Sequence, residues 1–166
     1  EEKIPLGECG CIWKLSNKIS GNILFLNGDL IWNIDLDRFL NFHLQKDSDI
    51  TLVTHTSTHP EDSDLIMESL TNEISEFSLK PHIDINIQKK MFLGNSGIAL
   101  FNSKILKEIP SPAKKISFCN HVLQNKINNK IRVFSYNTSE YIKDMGTEKR
   151  FNQVLIDIDN GDLVDR

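Results

Sequence analysis

The sequence has no apolar run long enough to cross a membrane, and no signal-peptide pattern precedes its first predicted strand. It has only 3 cysteines, an odd number that argues against a disulfide framework and fits a reducing cytosol. The formal net charge is -4, so broad attraction to nucleic acid or to an anionic membrane is not expected. These absences predict a cytoplasmic protein with neither nucleic acid nor membrane as a partner.

The cysteines and histidines also lack a zinc-binding pattern. Cys9 and Cys11 are too close together for a zinc knuckle, and Cys119 adds only a third thiol, whereas a structural zinc site usually needs four ligands. His55 and His59 have a spacing that brings ligands together on a helix, but they fall on a strand that runs into a loop. We therefore expect no zinc site.

The composition is that of an ordinary globular protein. The chain has 166 residues, of which 39% are hydrophobic and 25% are charged. This length suffices for one domain with a substantial core, so residues 1–166 are predicted to form a single domain.

Hydrophobic periodicity predicts strands and helices in alternation, which indicates an α/β fold with a mixed, largely parallel central sheet. The predicted strands are 23–27, 50–56, 65–67, 74–77, 92–101, 131–136 and 141–144. The predicted helices are 12–20, 36–43, 103–109, 116–127 and 147–158.

Several details of burial and capping follow from the same pattern. Strand 23–27 begins with four consecutive apolar residues, 23–26, which predicts burial on both of its faces. Asp35 and Thr147 are predicted helix N-caps, and His43 is predicted to close a buried helix face. The last helix is predicted to bury one stripe made of Phe151, Val154, Leu155 and Ile158. Glycines 94 and 97 predict a kink within strand 92–101.

Two carboxylates follow short apolar strands, each beside a glycine. Asp29 comes directly after Asn27 and Gly28, and Asp144 ends a strand just before Gly146. In an open α/β sheet ligands bind beyond the carboxyl ends of strands, so these two carboxylates are candidates to share a divalent cation with substrate phosphates. Lys80 precedes a proline at a strand end, where it is a candidate to contact a phosphate. The alternative is that Asp29 merely caps a turn.

Six motifs in the same order make the sequence resemble the sugar-1-phosphate nucleotidyltransferases, and within them the D-glycero-D-manno-heptose 1-phosphate guanylyltransferases, including those fused to a histidinol-phosphatase-like domain. The motifs are Pro5-Leu6-Gly7 with Gly10, Leu26-Asn27-Gly28-Asp29, His59-Pro60-Glu61-Asp62-Ser63-Asp64-Leu65, Lys80-Pro81-His82, Asn95-Ser96-Gly97-Ile98 and 140–150, which reads Glu-Tyr-Ile-Lys-Asp-Met-Gly-Thr-Glu-Lys-Arg.

The resemblance implies a three-layer, Rossmann-like fold and a reaction. A sugar 1-phosphate of heptose or mannose type and a nucleoside triphosphate, with GTP favoured, would give a nucleotide-sugar and pyrophosphate for lipopolysaccharide or capsule synthesis. It implies Mg²⁺ as cofactor, with Asp29 and Asp144 as ligands, and Lys80 and Asp144 as catalytic residues. It further implies nucleotide binding by Gly7, Gly10, Asn27, Gly28 and Asp29, and sugar binding by Asn95, Ser96, Gly97 and Lys80.

The sequence departs from this family at its start. The family's glycine-rich G-x-G-T-R loop, which cradles the triphosphate, has no counterpart, so the chain corresponds to the C-terminal two-thirds of the family domain. Glu8 stands where a small residue is usual, and Asn120 where an acidic one is frequent. We expect the missing strand to leave an open edge beside strand 23–27, completed by a separate N-terminal segment or by self-association. The alternative is a truncated, non-catalytic module for sugar or nucleotide binding or for assembly.

Overall fold

The computed structural model describes residues 5–82, 86, 91–108, 117–118 and 131–163. Its strands are β1 (Asn22–Leu26), β2 (Leu30–Trp32), β3 (Ile50–Thr56), β4 (Leu65–Glu68), β5 (Ile74–Ser78), β6 (Leu93–Asn102), β7 (Val133–Asn137) and β8 (Ile142–Asp144). Its helices are α1 (Glu8–Leu15), α2 (Leu36–Gln45) and α3 (Glu148–Asp159), with 3-10 turns at Pro60–Asp62 and Ser103–Glu108.

Six of the strands form one mixed sheet built around β6. Along its length β6 pairs on one side with β3 and on the other with β4 and then β1, and all three ladders are antiparallel. Strand β7 adds to β3 in parallel, and β5 adds to β4 as a hairpin. Strands β1, β3, β4 and β7 therefore run in one direction, with β6 and β5 against them. A second, two-stranded sheet pairs β2 with β8.

The side chains of the large sheet alternate between two apolar layers. Ile50, Leu52 and Phe101 face one layer, into which the partly buried Ile12 and Trp13 of α1 pack. Val53 and Leu100 face the other layer together with Phe39 of α2. The predicted three-layer α/β arrangement is confirmed, because each face of the sheet is covered by apolar side chains.

Local signals predicted several elements correctly. The Asp35 carboxylate accepts a hydrogen bond from the backbone of Arg38 at 2.9 Å, and the Thr147 hydroxyl accepts one from the backbone of Arg150 at 3.2 Å. Both predicted N-caps are thus confirmed. The kink in β6 is also confirmed, because its register with β3 shifts between Leu52 and Thr54.

Other predictions of burial were wrong. In β1, Leu24 and Leu26 are more than a third exposed, so the strand is not buried on both faces; among the described strands it pairs with β6 alone. In α3 only Val154 of the predicted stripe is buried, while Phe151, Leu155 and Ile158 are 45–46% exposed. Helix α1 begins and ends earlier than predicted. The predicted helix 116–127 and the departure at Asn120 lie largely or wholly outside the described residues.

His43 lies inside the core, as predicted. Its side chain is 2% exposed, and its Nδ1 shares a 2.8 Å hydrogen bond with the Thr51 hydroxyl. Burial lowers the pKa of His43 from its ordinary 6.5, with the charge of Asp49 opposing the shift. The fold therefore favours the neutral form of His43.

This burial makes the free energy of unfolding depend on pH. The unfolded chain takes up a proton near pH 6.5, above the lowered pKa of the folded state, so stability is full above 6.5 and falls as the pH drops below it. We expect a His43→Gln variant to lose this component, so that its melting temperature falls less than that of the wild type between pH 7.5 and pH 5. If the melting temperatures of the two proteins fall by the same amount over this pH range, His43 does not contribute.

Candidate functional site

The pairing of β2 with β8 brings the two candidate acids together. Leu30 lies opposite Asp144 in the ladder, and the backbone of Met145 donates a 2.8 Å hydrogen bond to the carbonyl oxygen of Asp29. A Cβ placed on Gly146 would lie 3.3 Å from Oδ1 of Asp144 and 3.7 Å from Oδ2 of Asp29. The two carboxylates therefore flank a single glycine, and the predicted convergence of Asp29 and Asp144 is confirmed.

A cavity of about 970 Å³ lies in front of this pair. Its walls come from β1 and β6, from the segment around the 3-10 turn after β3, and from β8 with the start of α3. The predicted site residues that line it are Asn27, Asp29, Lys80, Asn95, Ser96, Gly97 and Asp144. Gly7, Gly10 and Gly28 are not among its lining residues, so the structure does not bring every predicted residue to one place.

The two glycines of the first motif shape the start of α1 instead. Gly7 precedes the helix with a φ of 78°, a conformation that favours glycine. Gly10 is buried, and a Cβ there would lie 2.0 Å from Cβ of Leu6. Their predicted role in nucleotide binding stays a prediction.

The bulge of β6 forms another part of the cavity wall. Gly97 has a φ of 81°, and a Cβ on it would lie 2.5 Å from the amide nitrogen of the Asn27 side chain. The backbone of Asn27 donates to the Gly97 carbonyl at 3.1 Å, and the Gly97 backbone donates to the side-chain oxygen of Asn95 at 3.3 Å. These contacts fix two cavity-lining asparagines around one glycine.

The side chain of Ser96 is engaged within the protein, although the sequence predicted a ligand contact for it. Its hydroxyl donates a 2.8 Å hydrogen bond to the carbonyl oxygen of Val53, and its side chain is buried. The hydroxyl thus ties the bulge to β3. Its predicted contact with a sugar stays a prediction.

Two charged residues beside the acids, Arg150 and Asp62, had no role predicted from the sequence. Arg150 donates through Nη1 to Oδ1 of Asp144 at 2.9 Å and through Nη2 to Oδ2 of Asp62 at 2.8 Å. Lys80 contacts the other oxygen of Asp62 at 3.3 Å and its carbonyl at 2.9 Å. Hydrogen bonds from Arg150 and then Lys80 hold the pKa of Asp62 below its ordinary value. Both residues stand within the motifs quoted above, but no spacing rule pairs Asp62 with Arg150.

A buried carboxylate behind the cavity was also missed. Asp157 of α3 is 5% exposed and accepts hydrogen bonds from Lys143, Gln153 and Tyr141. Lys143, with Gln153 and Tyr141, lowers the pKa of Asp157 to about 2. Lys143 and Gln153 line the cavity, so Asp157 holds two wall residues and joins α3 to β8. The helical stripe pointed to Phe151 and Leu155 as the buried positions instead.

The sequence model of the family described as Nucleotidyl transferase matches residues 2–160. The chain belongs to the nucleotidyl transferase family.

Curated relatives and solved structures agree with this membership. The chain is 32% identical over 144 residues to a glucose-1-phosphate adenylyltransferase of Lachnospira eligens, covering 82% of the chain and 33% of the relative. It is 31% identical over 155 residues to one of Geobacillus stearothermophilus, covering 87% and 39%. The crystal structure of HddC from Yersinia pseudotuberculosis superposes with a TM-score of 0.73 at 21% identity, covering 95% of this chain and 64% of that one. The chain thus spans less than half the length of these curated relatives.

The site of this chain has a donor set that suits a divalent cation bound together with phosphates. Asp29 and Asp144 offer carboxylate oxygens, the ligands that Mg²⁺ prefers, and they meet at one glycine. Among the described residues, no group of three or more His, Cys, Asp or Glu side chains is arranged to hold a metal. The two carboxylates therefore fit Mg²⁺ when substrate phosphates and water complete its coordination. In the same described part of the chain, no helix is both long and apolar enough to cross a membrane.

The close approach of Asn27 to Gly97 leaves no room for a side chain at position 97. We expect Gly97→Ala to destabilise the fold by about 1–3 kcal/mol, because it adds a Cβ at positive φ against Asn27. Thermal or urea unfolding measures this. Gly28→Ala is the matched control, since nothing lies within 4 Å of its Cβ position. Equal stability of the two variants would contradict the close approach.

Proposed function

We propose that this chain carries the metal-binding and sugar-phosphate-binding part of a sugar-1-phosphate nucleotidyltransferase. The substrates are a sugar 1-phosphate of heptose or mannose type and a nucleoside triphosphate, with GTP favoured. The products are a nucleotide-sugar, a precursor for surface polysaccharide, and pyrophosphate. The observation that carries the proposal is the meeting of Asp29 and Asp144 at Gly146, in a cavity that Lys80 also lines.

The reaction joins two phosphates. An oxygen of the sugar phosphate attacks the α-phosphorus of the nucleotide, the bond to the β-phosphate breaks, and pyrophosphate leaves. Because the attacking oxygen is already anionic, no base has to remove a proton from it. Bound Mg²⁺ would supply neutralisation of the negative charge on the reacting phosphates.

The chain's own residues then act by position and charge. Asp29 and Asp144 would hold the cation, and the hydrogen bond between Met145 and Asp29 fixes their spacing. Lys80, at the opposite side of Asp62 from Arg150, would place a positive charge against the sugar phosphate. Asn95 and Gly97 would line the sugar pocket, where the bulge of β6 already positions them. Positioning and charge neutralisation supply most of the catalysis in phosphoryl transfer.

The proteins similar to this chain differ in the nucleotide that their names mention. The HddC protein of Yersinia pseudotuberculosis has also been solved with GMP-PN, and this chain shares its fold with a TM-score of 0.71. The curated relatives named above are adenylyltransferases of glucose 1-phosphate. A guanine nucleotide is therefore the first base to test, with an adenine nucleotide as its direct competitor.

The triphosphate side of the site calls for a further segment. The chain has no G-x-G-T-R sequence, and β1 pairs only with β6 among the described strands. We propose that an N-terminal segment, or a second copy of the chain, pairs with the edge of β1 for which the described strands provide no partner, and brings the triphosphate-binding groups.

Pyrophosphate release tests the proposed reaction. We expect Asp144→Asn and Asp29→Asn each to reduce it by at least about 100-fold, because metal ligation supplies several kcal/mol of transition-state stabilisation. The assay uses the full protein together with any N-terminal segment that completes it. It pairs GTP or ATP with mannose, heptose or glucose 1-phosphate in the presence of Mg²⁺, and EDTA should abolish the signal. Asp37→Asn, in the first turn of α2, is a matched control that removes the same charge away from the cavity.

Two outcomes would count against this function. Undiminished activity in the Asp144→Asn variant, with melting curves unchanged, would remove the proposed metal site. Metal-dependent binding of GDP-mannose without pyrophosphate release from any substrate pair would favour the alternative of a non-catalytic binding module.

A further inference from the structure

Four charged side chains form a continuous row along the cavity wall, in the order Lys80, Asp62, Arg150 and Asp144. The contacts between neighbours are 3.3 Å, 2.8 Å and 2.9 Å. The four come from the segment after β5, the 3-10 turn after β3, the first turn of α3 and the end of β8, so the row joins distant parts of the sequence. Each of them lines the cavity.

The charges in this row alternate, and its two inner members occupy positions that ligands would need. The Arg150 guanidinium sits on Oδ1 of Asp144, one of the oxygens proposed to bind the cation. The Asp62 carboxylate sits between Lys80 and Arg150, two groups suited to bind a phosphate. A positive group thus lies at the proposed metal position and a negative group at the proposed phosphate position.

These contacts are weak enough to be exchanged. The side chains of Lys80, Asp62, Arg150 and Asp144 are 50%, 53%, 33% and 35% exposed. Ion pairs with this exposure contribute about 0–1 kcal/mol each, far less than ligation of a divalent cation by two carboxylates. Because a guanidinium stays charged at any physiological pH, it must move away when a cation binds to the same oxygen.

We propose that Arg150 occupies the place of the metal ion and Asp62 the place of the substrate phosphate while the site is empty. Binding of the metal displaces Arg150 from Asp144, and binding of the phosphate displaces Asp62. In this sense the two residues are stand-ins for the ligands. This inference rests on the proposed function, since it presumes a metal at Asp29 and Asp144. A cation at Asp144 releases Nη1 of Arg150, while the contact between Nη2 and Asp62 keeps the guanidinium at the cavity wall. A phosphate that then binds Lys80 and Arg150 displaces the carboxylate of Asp62.

The exchange makes metal and phosphate binding support each other. While Arg150 is held by Asp144, it is only partly available to a phosphate, and binding of the metal removes that competition. The coupling is reciprocal, so a bound phosphate that draws Arg150 away should also strengthen metal binding. In this scheme Arg150 is a phosphate-binding residue whose availability depends on the metal.

Mn²⁺ binding to the full chain without nucleotide tests the first half of the exchange. Free Mn²⁺ is measured by electron paramagnetic resonance for the wild type, Arg150→Gln and Lys149→Gln. We expect Arg150→Gln to bind Mn²⁺ about three- to fivefold more tightly, as for removal of a competing exposed ion pair. Lys149→Gln removes the same charge from the neighbouring residue. Lys149 lines the same cavity, but within the described part of the chain the cation that pairs with Asp144 is Arg150, so this control should change the affinity less than about twofold.

Arg150→Lys keeps the charge and serves if the glutamine variant does not fold. Its single amine cannot offer two separated nitrogens to Asp144 and Asp62, so we expect tighter Mn²⁺ binding by a smaller factor. An unchanged or weaker Mn²⁺ affinity in the folded Arg150 variants would overturn the stand-in role.

Binding of mannose 1-phosphate in the absence of metal, by calorimetry, tests the other half. Asp62→Asn should bind this probe about three- to fivefold more tightly, because the internal anion is gone from Lys80 and Arg150. Glu61→Gln is the matched control, since it removes the same charge next to Asp62 in the same 3-10 turn. Equal affinities for the two variants would overturn the role of Asp62.

The outcomes separate this inference from the proposed function. Mn²⁺ binding that Asp144→Asn abolishes, but that the Arg150 variants do not tighten, would leave the metal site and remove only the exchange. No Asp144-dependent Mn²⁺ binding in either the wild type or the Arg150 variants would remove both.

Discussion

The short ladder between β2 and β8 is the constraint on which the site depends. It pairs only Leu30, Ile31 and Trp32 with 142–144, yet it places the turn that carries Asp29 directly against the end of β8. The hydrogen bond from Met145 to the Asp29 carbonyl closes this junction. Two carboxylates from opposite ends of the sequence become neighbours because a few backbone hydrogen bonds fix the register of two short strands.

Two kinds of charged contact surround this junction, and they differ in what burial allows. Asp157 is buried and accepts three hydrogen bonds, so it can be freed only at the cost of an unsatisfied buried charge. The row from Lys80 to Asp144 is partly exposed and screened by water, so its members can change partners at little cost. The first contact keeps α3 on β8, and the second leaves the cavity wall able to respond to a charged ligand.

The part of the cavity wall formed by the bulge of β6 depends on backbone shape rather than charge. The bulge in β6 lets Gly97 approach Asn27 more closely than any residue with a Cβ would allow. The same bulge lies where β6 changes its partner from β4 to β1, and Ser96 ties it to β3. The same bulge thus sets the register of β6 with its neighbours and places two asparagines at the cavity.

By itself the sequence determined the order of most elements, with the exception of β2, which it did not predict. It also determined the N-caps at Asp35 and Thr147, the buried His43 and the two carboxylates that follow strands. These depend on residues close together in the chain, where period, capping and turn rules apply. Only the tertiary structure decided that Asp29 meets Asp144, that Arg150 and Asp62 join them, and that α3 buries Asp157 while Phe151 and Leu155 stay exposed. Which face of a helix is covered, and which distant charges meet, depends on partners far away in the sequence, and no local pattern records where those partners lie.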